Sequence, residues 1–130
     1  MVKYLKELET ILNQYQIDKN DVCIVGSAIL ALHEIRENND VDIIVRKSVR
    51  KDLSLSHKSC KISKNIEIVG ENWFFIDDNL TDDLILDNRE NHLKNGDYKY
   101  VNLNLLLERK RSSNKEKDLG DVNLIEEFLS

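Results

Sequence analysis

The stretch Val22–Val45, VCIVGSAILALHEIRENNDVDIIV, decides the fold. It opens on Val22-Cys23-Ile24-Val25, a short apolar run rich in β-branched residues, which predicts a buried strand. Gly26-Ser27 follows. Ala28, Ala31, Leu32 and Ile35 then recur at i, i+3, i+4 and i+7, so a helix starts at this turn with Ser27 as its N-cap. Asn38-Asn39 breaks the helix, and Asp40-Val41-Asp42-Ile43-Ile44-Val45 reads as a second strand.

Val2 to Tyr15 predicts a helix, with Leu5, Leu8, Leu12 and Tyr15 on one face. Arg46 to Lys61 is polar and basic with little period, a loop with at most a short helix. Ile62 to Val69 predicts a third strand, strongest at Ile66-Glu67-Ile68-Val69. Trp73 to Ile76 and Leu84 to Leu86 are apolar patches compatible with strand or helix. Asn95-Gly96 is a turn signal, and Tyr98 to Val101 alternates as a short strand does. Leu103, Leu106, Leu107 and Lys110 share a helical stripe. A last helix is expected from about Lys117 to Leu129, with Val122, Ile125 and Leu129 inward. The expected fold class is therefore α/β (α+β), a small mixed sheet with flanking helices.

At 130 residues, the chain is sized for a single domain spanning 1–130. Apolar residues are spread along it, as in a folded protein. Its net charge of −5 argues against broad, sequence-independent binding of duplex nucleic acid, though not against a local basic groove. No stretch has the length of a membrane span, so no membrane association is expected. Cys23 and Cys60 are far apart and form no C-x-x-C. Reduced thiols in a cytoplasmic protein are the expectation. His33, His57 and His92 lack metal-site spacing and are expected at the surface. Trp73-Phe74-Phe75 is expected in the core or at a subunit contact rather than as a base-stacking platform.

Chemistry concentrates between Val25 and Val45. Alternation along a strand points Asp40 and Asp42 to one face, with Val41, Ile43 and Val45 toward the core. Two adjacent carboxylates repel unless a cation lies between them, and Mg²⁺ suits two carboxylates completed by phosphate oxygens and water. Gly26 lets a backbone approach a phosphate closely, Ser27 offers a hydroxyl, and the helix start offers free N–H groups. If the strand of Glu67 neighbours Val41–Val45, a third carboxylate joins the same face, able to ligate metal and to act as general base on an acceptor hydroxyl. Lys110 stands out as a cation on an otherwise apolar stripe, and Asp118 and Asp121 share a helix edge from which to orient Lys110 or Lys115. An isolated Asp-x-Asp, by contrast, is usually a solvated strand end, and Arg109 to Lys117 alone is equally a solvated charge run.

Together, Gly26-Ser27, Arg36-x-x-x-Asp40-Val41-Asp42 and Glu67, followed by Lys110 and Lys115-Glu116-Lys117-Asp118, resemble the nucleotidyltransferase superfamily that includes DNA polymerase beta. The resemblance is greatest to its minimal members, of toxin–antitoxin systems and of antibiotic resistance. It implies two Mg²⁺ ions, with Mn²⁺ as a substitute, held by Asp40, Asp42 and Glu67. It also implies a nucleoside triphosphate held by Gly26, Ser27, Arg36, Lys110, Lys115 and Asp118, and transfer of a nucleotide to an acceptor hydroxyl in a toxin–antitoxin or phage-defence setting. The acceptor stays open between RNA (tRNA included), protein and small molecule. So small a chain implies a partner protein or second copy to complete the site. The rival readings are a non-catalytic nucleotide- or partner-binding module on the same fold and, more weakly, a metal-dependent nuclease.

Overall fold

The computed structural model describes residues 1–74, 80–113 and 115–130, with Lys117 described through its backbone alone. Phe75 and Ile76, part of the apolar stretch expected after Trp73, lie outside the described residues.

Among the described residues, six strands form one mixed sheet in the order β3-β4-β2-β1-β6-β5. They are β1 (Val22–Val25), β2 (Val41–Val45), β3 (Cys60–Lys61), β4 (Ile66–Ile68), β5 (His92–Asn95) and β6 (Tyr98–Val101). β1 runs antiparallel to β2 and parallel to β6, while β2 and β4 are parallel. The helices are α1 (Leu5–Gln14), α2 (Ser27–Leu32), α3 (Lys47–Asp52), α4 (Asp82–Asp87), α5 (Leu103–Arg111) and α6 (Glu116–Leu129). The protein is thus a mixed α/β fold, a six-stranded sheet flanked by helices.

Every side chain of β1 is fully buried, as are Val41, Ile43, Ile44 and Val45 of β2. Such strands are covered on both faces, which is why they read as continuous apolar runs. Asp42 is the exception in β2, only partly buried among neighbours that are wholly enclosed. That single polar break marks where the sheet opens to solvent.

Several expectations need correction. α1 begins at Leu5, not Val2, because the first residues are tied elsewhere. Lys3 N–H donates to Asn38 Oδ1 (3.0 Å), and Asn38 Nδ2 donates to Lys3 C=O (3.2 Å) and Asp40 C=O (3.0 Å). Asn38 is completely buried. Its amide therefore fixes the loop that delivers Asp40. Asp40 itself lies just before β2 in a bend. Leu84–Leu86 resolves as helix within α4, capped by Thr81 Oγ1 accepting from Leu84 N–H. Leu129 is half-exposed rather than inward, although Val122 and Ile125 are buried. β5 pairs with β6 across the Gly96-Asp97 turn and was not anticipated. Of the three histidines only His57 is exposed; His33 packs against Phe128 with ring centroids 5.7 Å apart, and His92 Nδ1 contacts Ile85 C=O at 2.7 Å. Both cysteines are free thiols. No helix among the described residues is long and apolar enough to cross a membrane.

Candidate active site

Register across the sheet assembles the acids. Val25 pairs with Asp42, and Asp42 pairs with Glu67. Residues paired across neighbouring strands lie about 5 Å apart on one face. Asp42 and Glu67 are therefore adjacent, and Asp40 precedes Asp42 by one alternation. Parallel pairing of β2 with β4 is the step that brings the third acid in; the sequence carried it only as a condition.

The chain leaves β1 at Gly26 with φ +71°, a left-handed conformation that favours glycine. A Cβ on Gly26 would stand 2.6 Å from Asp42 Oδ2. The Gly-Ser turn and the Asp42 carboxylate are therefore in contact. Ser27 is the first residue of α2 and does not cap it; Gly26 holds the cap position with no side-chain bond. The Ser27 hydroxyl oxygen is buried and has no hydrogen-bond partner among the described residues. A buried, unsatisfied hydroxyl beside open space is disfavoured unless something comes to meet it. With only six residues, α2 is shorter than its apolar period implied, so the hydroxyl and turn amides matter here more than any macrodipole.

The second half of the site is an ion network. Arg36 donates through Nε to Asp121 Oδ1 (2.8 Å) and through an Nη to Asp121 Oδ2 (2.9 Å). Lys110 Nζ lies 2.9 Å from Asp121 Oδ2 and 3.2 Å from Asp118 Oδ1. Burial pushes the Asp121 carboxyl up, but the bonds from Arg36 and Lys110 outweigh it and hold the group below its usual range. The Arg36 guanidinium is correspondingly raised, chiefly by its bond to Asp121. Both cations are thus fixed rather than mobile. Asp121, named from sequence only as a possible orienting group, is the hub of the network. Lys115 is exposed and occupies the residue before α6 without a side-chain capping bond.

All nine residues singled out from sequence (Gly26, Ser27, Arg36, Asp40, Asp42, Glu67, Lys110, Lys115 and Asp118) line one cleft of about 560 Å³. Ser59, Val69, Gly70 and Trp73 are the other described residues in its wall. Trp73 is a residue the sequence reading placed elsewhere. Phe74 is buried in the core as expected, but Trp73 lines the cleft, its ring perpendicular to that of Phe74 with centroids 4.8 Å apart and under the Arg109 guanidinium at 4.5 Å. Arg109 Nε also donates to the Trp73 carbonyl at 2.8 Å. No local pattern around Trp73 announces this, since its partner lies on α5.

Among the described residues, no three His, Cys, Asp or Glu side chains are arranged as a closed metal-binding group. The donors at hand are carboxylates and a hydroxyl, the oxygen set that Mg²⁺ takes together with phosphate oxygens and water rather than as an all-protein cage. Among described residues the cleft is lined by four carboxylates and three cations, and Asp121 adds a fifth carboxylate behind two of those cations. The balance favours binding of added positive charge with an anion. No protein-family model, curated protein or solved structure matches this chain.

Proposed function

We propose that the cleft is the active site of a metal-dependent nucleotidyltransferase, moving a nucleotide from a nucleoside triphosphate to an acceptor hydroxyl. The observation that carries this reading is the contact between Gly26 and Asp42, with Glu67 in register beside them. A glycine turn with a buried, unsatisfied hydroxyl and a row of carboxylates are thereby set edge to edge.

Asp40, Asp42 and Glu67 fit a divalent ion by chemistry, being oxygen donors gathered on one face of an open cleft. Bound there, Mg²⁺ supplies neutralisation of phosphate charge and a lowered pKa for the acceptor hydroxyl. The chain's own groups do the rest. The Ser27 hydroxyl and turn amides hold the terminal phosphates. Lys115 reaches the triphosphate from the α6 side, while Arg36 and Lys110 present fixed positive charge along the wall. Glu67 accepts the acceptor's proton as the new oxygen–phosphorus bond forms and the bond from the α-phosphorus to pyrophosphate breaks.

The test is incubation of the protein with each α-labelled triphosphate, Mg²⁺ and a cell extract, alongside calorimetric titration with and without metal. Metal-dependent binding, pyrophosphate release and a labelled acceptor support the proposal. Binding that needs no metal and releases no pyrophosphate would replace it with a non-catalytic binding module.

A further inference from the structure

We infer that the acceptor is the 3′ end of a single-stranded nucleic acid, laid across the β3–β4 side of the cleft with its terminal base on Trp73. The inference rests on the nucleotidyl-transfer reading and deepens it.

Direction comes first. Displacement at phosphorus is in line, so the attacking oxygen enters opposite the leaving pyrophosphate. The pyrophosphate end belongs to Gly26 and Ser27, at the end of β1. Along the strand order β1, β2, β4, β3, the side opposite that turn lies beyond Asp42 and Glu67. There the wall is Ser59, Val69, Gly70 and Trp73.

Charge comes second. The chain is acidic overall, yet residues 46–64 carry seven Lys and Arg against the single acid Asp52. Lys47, Lys51, Lys58, Lys61 and Lys64 of this segment are exposed, and none forms an ion pair among the described residues. Lys61 pairs in register with Glu67, and so stands on the acid-bearing face. Ser59, between Lys58 and Lys61, reaches the cleft itself. A segregated run of exposed lysines outside any ion pair among the described residues, bordering the cleft at Ser59, is the footprint of a polyanion, against the sign of the whole chain.

Stacking comes third. Trp73 is the one aromatic ring lining the cleft among the described residues. Its carbonyl and one ring face are held by Arg109, and its ring packs at right angles to that of the buried Phe74. A ring already fixed loses little freedom on stacking, and a base on such a platform is favoured whatever its identity. An acidic protein acceptor would use the lysines but has no need of the ring.

The experiment measures anisotropy of a 5′-fluorescein, twelve-nucleotide single-stranded RNA with the full chain and no triphosphate, across a salt series. Wild type should bind. Trp73→Ala should weaken binding roughly tenfold or more, with Trp73→Phe retaining most of it. Lys58→Ala with Lys61→Ala should reduce the slope of log affinity against log salt by about 1.4. A poly-glutamate peptide binding as tightly as RNA, or indifference of RNA binding to Trp73→Ala, would overturn the inference. Calorimetry with ATP and Mg²⁺ on the same preparation separates the two claims. Triphosphate bound without RNA refutes the acceptor assignment alone. RNA binding by a protein that takes up no triphosphate in the presence of Mg²⁺ refutes nucleotidyl transfer alone.

Discussion

The carboxylate of Asp42 lies over the α-carbon of Gly26, so close that a methyl group there would come within 2.6 Å of Oδ2. The backbone at Gly26 is also left-handed, at φ +71° and ψ −151°. Gly26→Ala therefore meets strain and a steric clash together. The backbone term alone is of order 1–3 kcal/mol, and the clash can be relieved only by turning Asp42 away. The expected result is a thermal midpoint lowered by several degrees and triphosphate binding with Mg²⁺ lost. A Gly26→Ala protein that binds triphosphate normally would show that Asp42 and the turn do not share a ligand.

Asp42 and Ser27 should differ in what their loss costs. Asp42 and Glu67 face the cleft from paired positions, but Asp42 also touches the turn that meets phosphate. Asp42→Asn should reduce nucleotide transfer by about 10³-fold or more, and Asp40→Asn by several orders of magnitude. Ser27→Ala should cost less, on the order of the 10²-fold seen when one positioned hydrogen-bond donor is lost. None of these should unfold the chain, since each side chain borders open space. The check is initial rate with a labelled triphosphate, alongside thermal melts with and without Mg²⁺ and triphosphate. Ligands that raise the wild-type midpoint should leave that of Asp42→Asn where it is.

How legible this was varied with how local each signal is. β1 appears between the residues the apolar run marks, because burial on both faces leaves an uninterrupted pattern. β5 carries one apolar residue in His92-Leu93-Lys94-Asn95 and owes its existence to pairing with β6. β3 is two residues long and depends on β4. The site follows the same rule. Asp40, Asp42, Gly26 and Ser27 lie within one short unit and could be read together. Lys110 showed itself as a charge on a buried stripe, and it is indeed buried, against Asp118 and Asp121. Arg36 and Asp121 are 85 residues apart, and nothing in spacing announces their pairing. Trp73 reaches the cleft through contacts with Arg109 that no sequence period encodes.

Asp121 offers a test of structure separate from catalysis. Its side chain is 6% exposed and bonds Arg36 and Lys110, themselves 25% and 9% exposed. Asp121→Ala strands two cations, one of them deeply buried. Removing one partner of such a pair costs about 3–5 kcal/mol. Adding Lys110→Met should recover part of the loss, because the uncompensated charge goes with it. The Asp121 carboxyl is held below its usual range, so its stabilisation is present above about pH 4 and fades as pH falls through the lowered pKa. Urea denaturation at neutral and acid pH checks both points. A double variant no more stable than Asp121→Ala would mean that Lys110 is not what the carboxylate neutralises.

Asp82 has the opposite linkage. It opens α4, and its Oδ2 accepts from Asn72 N–H (3.0 Å) while Asn72 Oδ1 accepts from Asp82 N–H (3.1 Å). This clasp holds the residue immediately before Trp73. Asn72 is left-handed at φ +56°, a conformation asparagine tolerates better than most. Asp82 Oδ1 is buried without a hydrogen-bond partner among the described residues. Burial, only partly offset by Asn72 N–H and Arg50, pushes the carboxyl up to about 6 from 3.8. The folded chain therefore binds this proton more tightly than the unfolded chain does. The resulting stability is complete below about pH 4 and is lost as pH rises through about 6. Two pKa units correspond to roughly 3 kcal/mol. Asp82→Asn keeps an oxygen for Asn72 and removes the charge, so it should be more stable than wild type at pH 7.5. That advantage should shrink or reverse at pH 4.5. Urea denaturation of both proteins at the two pH values measures the difference directly. An advantage of equal size at both would show that ionised Asp82 is not destabilised by its burial.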